Sequence, residues 1–134
     1  YNLFTEVIKI FPDDWRMYIH GGDIAKELKK YDEALEYYNK AGEIGTYFCD
    51  EMDCKVGLYE EMGEYEKAYN ECMKMADIYR SRGYDVEADI AEIRAQEVKN
   101  KSKNCNLAGI MLFLAEEPKV RATTSASAST LFNT

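Results

Sequence analysis

The chain repeats itself with a period of 34 residues, and that period decides most of what it can fold into. Shifted by 34, Tyr31-Asp32-Glu33-Ala34 falls on Tyr65-Glu66-Lys67-Ala68, with Tyr31/Tyr65, Ala34/Ala68 and Lys40/Lys74 identical. Carried outward, the same shift stacks Ile10 on Ile44 and Ile78, Phe4 on Tyr38 and Cys72, and Val7 on Ala41 and Met75. Tyr18/Met52/Val86 and Ala25/Tyr59/Ile93 carry the columns past Gly83, so the period runs through residues 1 to 98. A unit of this length that recurs is one supersecondary element stacked on copies of itself.

Each unit contains two helices. Tyr18, Gly22, Ala25 and Leu28 are spaced four, three and three apart, which places them on one helical stripe. After a break at 29–31, Asp32 is expected to cap a second helix whose buried side carries Ala34, Tyr38 and Ala41. Gly22 and Ala34 let the two backbones approach closely. The second unit repeats this with Met52, Val56, Tyr59 and Met62, a break at Gly63, and a helix from Glu66 bearing Ala68, Cys72 and Met75. Gly45 and Gly83 supply the turns between units. Of the tyrosines, Tyr18, Tyr38, Tyr59 and Tyr69 fall at helix–helix contacts and are expected in the core, each hydroxyl reaching the rim.

With Gly22, the junctions Tyr31-Asp32-Glu33-Ala34 and Gly63-Glu64-Tyr65-Glu66-Lys67-Ala68, Tyr38, Ala41 and Pro12 before Trp15, the chain resembles the tetratricopeptide repeat (TPR) family. The resemblance implies an all-α fold of stacked antiparallel helix pairs, a right-handed α-α solenoid. In the second unit the close-packing glycine falls one place late, Gly57 where the shift predicts Val56, which leaves that helix's register open.

The register divides the chain. Residues 1–11 match the second helix of a preceding unit, 15–48 and 49–82 are two units, and 83–99 is the first helix of a further one, with Val86, Ile90 and Ile93 continuing its apolar stripe. A second helix without its first leads us to expect further units upstream, the chain being a segment of a longer array. Residues 100–117 are expected to form a polar turn, Asn100 to Asn104, and a short apolar helix, Leu107 to Ala115, packed over the open end of the array and closed by Glu117-Pro118. A strand or an interface segment is the alternative for that run. Residues 118–134, rich in Ser and Thr, read as a disordered tail.

Composition narrows the function. Against 25 Asp and Glu stand 17 Lys and Arg, for a net charge of −8. That argues against nucleic acid and anionic membrane surfaces, which select basic faces. The apolar run 107–115 is far short of the roughly 20 residues that span a bilayer. Cys49, Cys54, Cys72 and Cys105 form no C-x-x-C pair and follow no leader, so they are expected as reduced thiols in a cytoplasmic protein. With His20 the only histidine, their spacing fits no zinc site.

Chemistry leaves no further signature. There is no glycine-rich phosphate loop, no nucleophile elbow and no H-E-x-x-H; Asp50 and Asp53 lack the remaining ligands of a calcium loop. Adjacent pairs such as Glu60 and Glu61 diverge on a helix. We therefore expect neither enzymatic activity nor a cofactor or metal.

What the resemblance implies is a concave face lined by the outward side of each first helix: Arg16, Ile19, Asp23, Lys26 and Glu27, then Asp50, Asp53, Gly57, Glu60 and Glu61. The first set is mixed; the second holds four acids and no base. Ile19, Asp23 and Cys54 stand where TPR proteins that clamp acidic tails place their donors, so that partner is disfavoured. Close like charges steer a basic or mixed peptide instead, unless they serve solubility alone. The expected function is a scaffold holding a peptide or helix of another protein. The rival is a ligand-sensing repeat domain of a regulator whose output domain, for example DNA-binding, lies outside this chain; a weaker one is the interaction domain of an enzyme subunit.

Overall fold

A computed structural model describes the backbone of residues 2–46 and 48–124 and the side chains of 5–46 and 48–115. Six helices follow one another with no strand among the described residues: α1 (Asn2–Ile10), α2 (Trp15–Glu27), α3 (Tyr31–Ile44), α4 (Asp50–Met62), α5 (Tyr65–Ser81) and α6 (Asp85–Thr124). The starts of α3 and α5 at Tyr31 and Tyr65 keep the 34-residue period, and those of α2, α4 and α6 at Trp15, Asp50 and Asp85 follow it to within one residue. The Phe4 side chain and residues 125–134 of the expected tail lie outside the described residues, while 118–124, expected in that tail, are helical as the end of α6.

Local chemistry sets the helix ends. Asp14 caps α2 by accepting from the Arg16 amide at 3.1 Å, which satisfies one of the first-turn N–H groups that the helix leaves unpaired. Lys29, at φ 60°, turns the chain into α3. That helix starts one residue before the expected cap: Lys30 is the capping position and Asp32 lies in the first turn. There its charge still favours the positive helix end, which is why the helix tolerates a lysine cap. Gly63 at φ 78° and Gly83 at φ 82° close α4 and the turn after α5 in left-handed backbone that a side chain would strain.

The chain divides into two compact units, Tyr1–Lys99 and Asn100–Thr134. In the first, α1 touches α2, α2 packs on α3, α3 on α4 and α4 on α5, while α2 also touches α4. One apolar cluster joins Ala25, Ala34, Tyr38 and Leu58, with Ile19, Leu35, Cys54 and Met62 against it. A second joins Cys49 and Val56 of the α4 region, Ala68, Cys72, Met75, Ala76 and Tyr79 of α5, and Ala88, Ala91, Ala95 and Val98 of α6. Small residues dominate the second cluster and make up half of the buried residues of the first, so backbones approach where side chains are short, and large ones such as Tyr38 and Leu58 fill the space left. The Tyr38 ring lies where a Cβ on Gly22 would stand. Val56 is fully buried at the position 34 residues on from Gly22, while Gly57 faces open space. The α4 register is thus continuous with the repeat, with valine in the packing position.

Three expectations are corrected. The buried face of α6 is Ala88, Ala91, Ala95 and Val98; Val86, Ile90 and Ile93 are 68%, 60% and 60% exposed. Their counterparts in α2 and α4 are covered by α3 and α5, and among the described residues no helix turns back over α6. Leu28, last on the α2 stripe, is exposed as well, because the helix ends before it. The third correction concerns residues 100–124, over which α6 continues from Asp85 to Thr124 without a turn at 100–104 and without a stop at Pro118. Residues 100–104 contain neither Gly nor Pro, and Asn, Lys and Ser each cost a helix only about 0.7 kcal/mol or less. Proline kinks a helix without having to end it. Leu107, Ile110, Met111, Leu112, Phe113 and Leu114 are exposed along this helix. No helix among the described residues is long and apolar enough to cross a membrane.

Candidate functional site

The residues expected on the concave face fall into three environments. On α2, Arg16 is paired with Asp14 at 3.0 Å, and its hydrogen bonds hold the Asp14 carboxyl below the usual carboxylate range. Ile19 packs against the first apolar cluster, and Asp23 accepts from the Tyr38 hydroxyl at 2.6 Å. Lys26 is half-buried and Glu27 exposed. Glu61 of α4 lies apart from the other acids, taking Lys29 at 2.7 Å and the Tyr31 hydroxyl at 3.4 Å. The Lys29 hydrogen bond lowers its pKa.

Asp50 and Asp53 come together in a third place, a cleft of about 250 Å³ lined by Phe48, Asp50, Asp53, Met75, Tyr79, Glu87, Ile90, Ala91 and Arg94. Three elements build it: the start of α4, one side of α5, and the stripe 87-90-91-94 of α6 at helical spacing. Arg94 bridges from α6 to α4, 3.5 Å from Asp53 and 3.5 Å from Glu60. Glu60 thus joins the cleft's edge through Arg94, and Gly57 opens onto free space on the same helix. Among the described residues neither Asp50 nor Glu87 takes part in an ion pair. Asp53, Asp50 and Glu87 against Arg94 leave the cleft acidic, though less one-sidedly than the α4 residues alone suggest.

The apolar end is built on Tyr79. Its hydroxyl donates to the Phe48 carbonyl at 2.5 Å, fixing the segment before α4, and burial pushes its pKa up to about 12. Tyr84 meets both rings edge-on, with centroids 6.1 Å from Phe48 and 6.5 Å from Tyr79. Phe48 is nevertheless 58% exposed, an aromatic ring held in place while more than half open to solvent. Cys54, beside the first cluster, is raised to about 12 by burial and then by Asp23, and is poorly suited to act as a nucleophile.

Sequence reasoning missed Glu87, Ala91 and Arg94, yet the repeat contains them. One more shift of 34 carries Asp53 to Glu87, Gly57 to Ala91 and Glu60 to Arg94. Phe48, Met75 and Tyr79 had no such signal, since they enter from the preceding loop and from a second helix. Among the described residues no three His, Cys, Asp or Glu are placed to hold a metal. At 250 Å³ and open to solvent, the cleft is smaller than the roughly 300–1,000 Å³ of small-molecule sites and suits single side chains of a larger partner. No family model matches the chain, and neither a curated protein nor a solved structure matches it.

Proposed function

We propose that this chain is a TPR-like protein–protein interaction module, a scaffold whose stacked helix pairs form a solenoid and hold a peptide or helix of a partner. The observation that supports this most is the cleft between α4 and α6: an apolar wall beside Asp50 and Glu87, which enter no ion pair among the described residues. Apolar surface supplies affinity and unpaired charge selects the ligand, the usual division of labour at an interface. In the 34-residue columns the cleft residues of α6 are successors of those of α4, as expected of a groove built by repetition.

An array of immobilised peptides, probed with the whole chain at low and physiological salt, tests the reading. Binders are expected whose signal falls with salt and with Asp50→Lys or Glu87→Lys, both at positions outside the apolar clusters. An array without binders, or with binders indifferent to both substitutions, overturns the site.

A further inference from the structure

We infer that the cleft takes a single arginine of an extended partner segment, with an acidic residue about three places along the same segment. This rests on the interaction-module reading and goes beyond it by naming the ligand's charge pattern.

The two ends of the cleft differ in charge. At the Phe48 end, Asp50 and Glu87 are in no ion pair among the described residues, and Phe48 is largely exposed while its carbonyl is held by Tyr79. Two carboxylates beside an exposed aromatic face satisfy both requirements of a guanidinium, whose flat faces stack and whose edge donates to carboxylates. An ammonium group can sit over a ring, as Lys67 does over Tyr59, but it neither stacks on the face nor offers a planar fork to two carboxylates at once. The wall of Met75, Ile90 and Ala91 receives the aliphatic stem.

At the other end Arg94 reverses the preference. Its guanidinium lies 3.5 Å from both Asp53 and Glu60, distances too long for strong hydrogen bonds, and its Nε is buried without a partner. A second cation there meets a like charge, whereas a carboxylate would give Arg94 the close partner it lacks. Glu87 and Arg94 are seven residues apart on α6, on the order of 10 Å at 1.5 Å per residue. An extended chain at roughly 3.3 Å per residue covers that in about three residues. A run of basic residues is therefore the wrong ligand, and an arginine with an acid three places away the right one.

Four labelled decapeptides, identical but for Arg/Glu, Lys/Glu, Arg/Arg and Glu/Glu three places apart, are titrated with the whole chain by fluorescence anisotropy. The Arg/Glu peptide is expected to bind tightest. Phe48→Ala should weaken it about tenfold and erase its advantage over Lys/Glu. Arg94→Glu should shift the preference to Arg/Arg, an inversion that simple loss of structure does not produce; circular dichroism confirms that each variant folds. Equal binding of all four, no binding of Arg/Glu, or a preference that Arg94→Glu leaves unchanged overturns the inference. The peptide array then separates the two readings: binders of other pattern that respond to Asp50→Lys leave the module standing, and an array without binders removes it too.

Discussion

The Tyr38 hydroxyl donates a 2.6 Å hydrogen bond to Asp23 on the neighbouring helix, and the ring that carries it fills the space left by Gly22. One side chain thus joins α2 to α3 twice, by packing and by a charge-assisted bond. Tyr38→Phe keeps the ring and removes the bond, and should cost about 1.5–3 kcal/mol in urea unfolding. Asp23→Asn, which retains an acceptor, should cost less. If Tyr38→Phe is as stable as wild type, the bond contributes nothing net.

The two helical glycines next to each other in repeat register should respond oppositely. Gly22→Ala forces Tyr38 to move and is expected to destabilise by about 1–3 kcal/mol. Gly57→Ala meets nothing within 4 Å and should stabilise by about 0.5–1 kcal/mol, because alanine loses less backbone entropy. Chemical denaturation of the two variants under one condition checks this. Equal effects would mean that α2 and α3 are less closely packed than described.

Stability should fall in alkali, beginning with the thiols. Burial raises Cys72 to about 11 and Cys54 to about 12, against an ordinary thiol near 9. Between those values the unfolded chain has lost protons that the folded chain keeps, so unfolding gains as pH rises. The contribution is intact below about pH 8 and is lost through the range above 9, followed by Tyr38 and Tyr79, also raised chiefly by burial. The urea midpoint should be lower at pH 10 than at pH 8 in reductant. Cys54→Ala should flatten that slope, whatever it does to the midpoint at pH 8; an unchanged slope sinks the assignment.

A polar link between α3, α4 and α5 makes Lys55 more sensitive than its neighbours. Lys55 Nζ is 3.7 Å from Glu71 of α5 and donates to Asn39 of α3 at 3.2 Å, with the Lys55 and Glu71 side chains only 15% and 7% exposed. Lys74, 3.3 Å from the same carboxylate, is 62% exposed. Lys55→Met should cost about 1–3 kcal/mol by leaving Glu71 poorly satisfied, and Lys74→Met under about 1 kcal/mol. Thermal melts that rank the two variants the other way contradict this.

The thiols also report burial directly. None of the four described cysteines is in a disulfide; Cys49 and Cys72 are buried, Cys54 partly so, and Cys105 is exposed. Alkylation of the native chain followed by peptide mass mapping should label Cys105 first and Cys49 and Cys72 only on unfolding. Early labelling of Cys72 would show that α4 and α5 part readily.

The sequence alone determined the helix pairs, the breaks at Gly63 and Gly83, and the buried columns Ala34/Ala68, Tyr38/Cys72 and Ala41/Met75. These depend on contacts between neighbours in the chain, which a fixed period records directly. Only the tertiary structure decided which face of α6 is buried, because Val86, Ile90 and Ile93 need a following helix to cover them, and Ala88, Ala91 and Ala95 need only the preceding one. It also decided the charge of the cleft. Asp53, Glu60 and Arg94 are each ordinary surface residues on their own helices; a groove exists only when α4 and α6 lie close enough for one guanidinium to meet two carboxylates. Electrostatic character between helices follows from distance across the fold, and a repeat pattern read along the chain does not contain it.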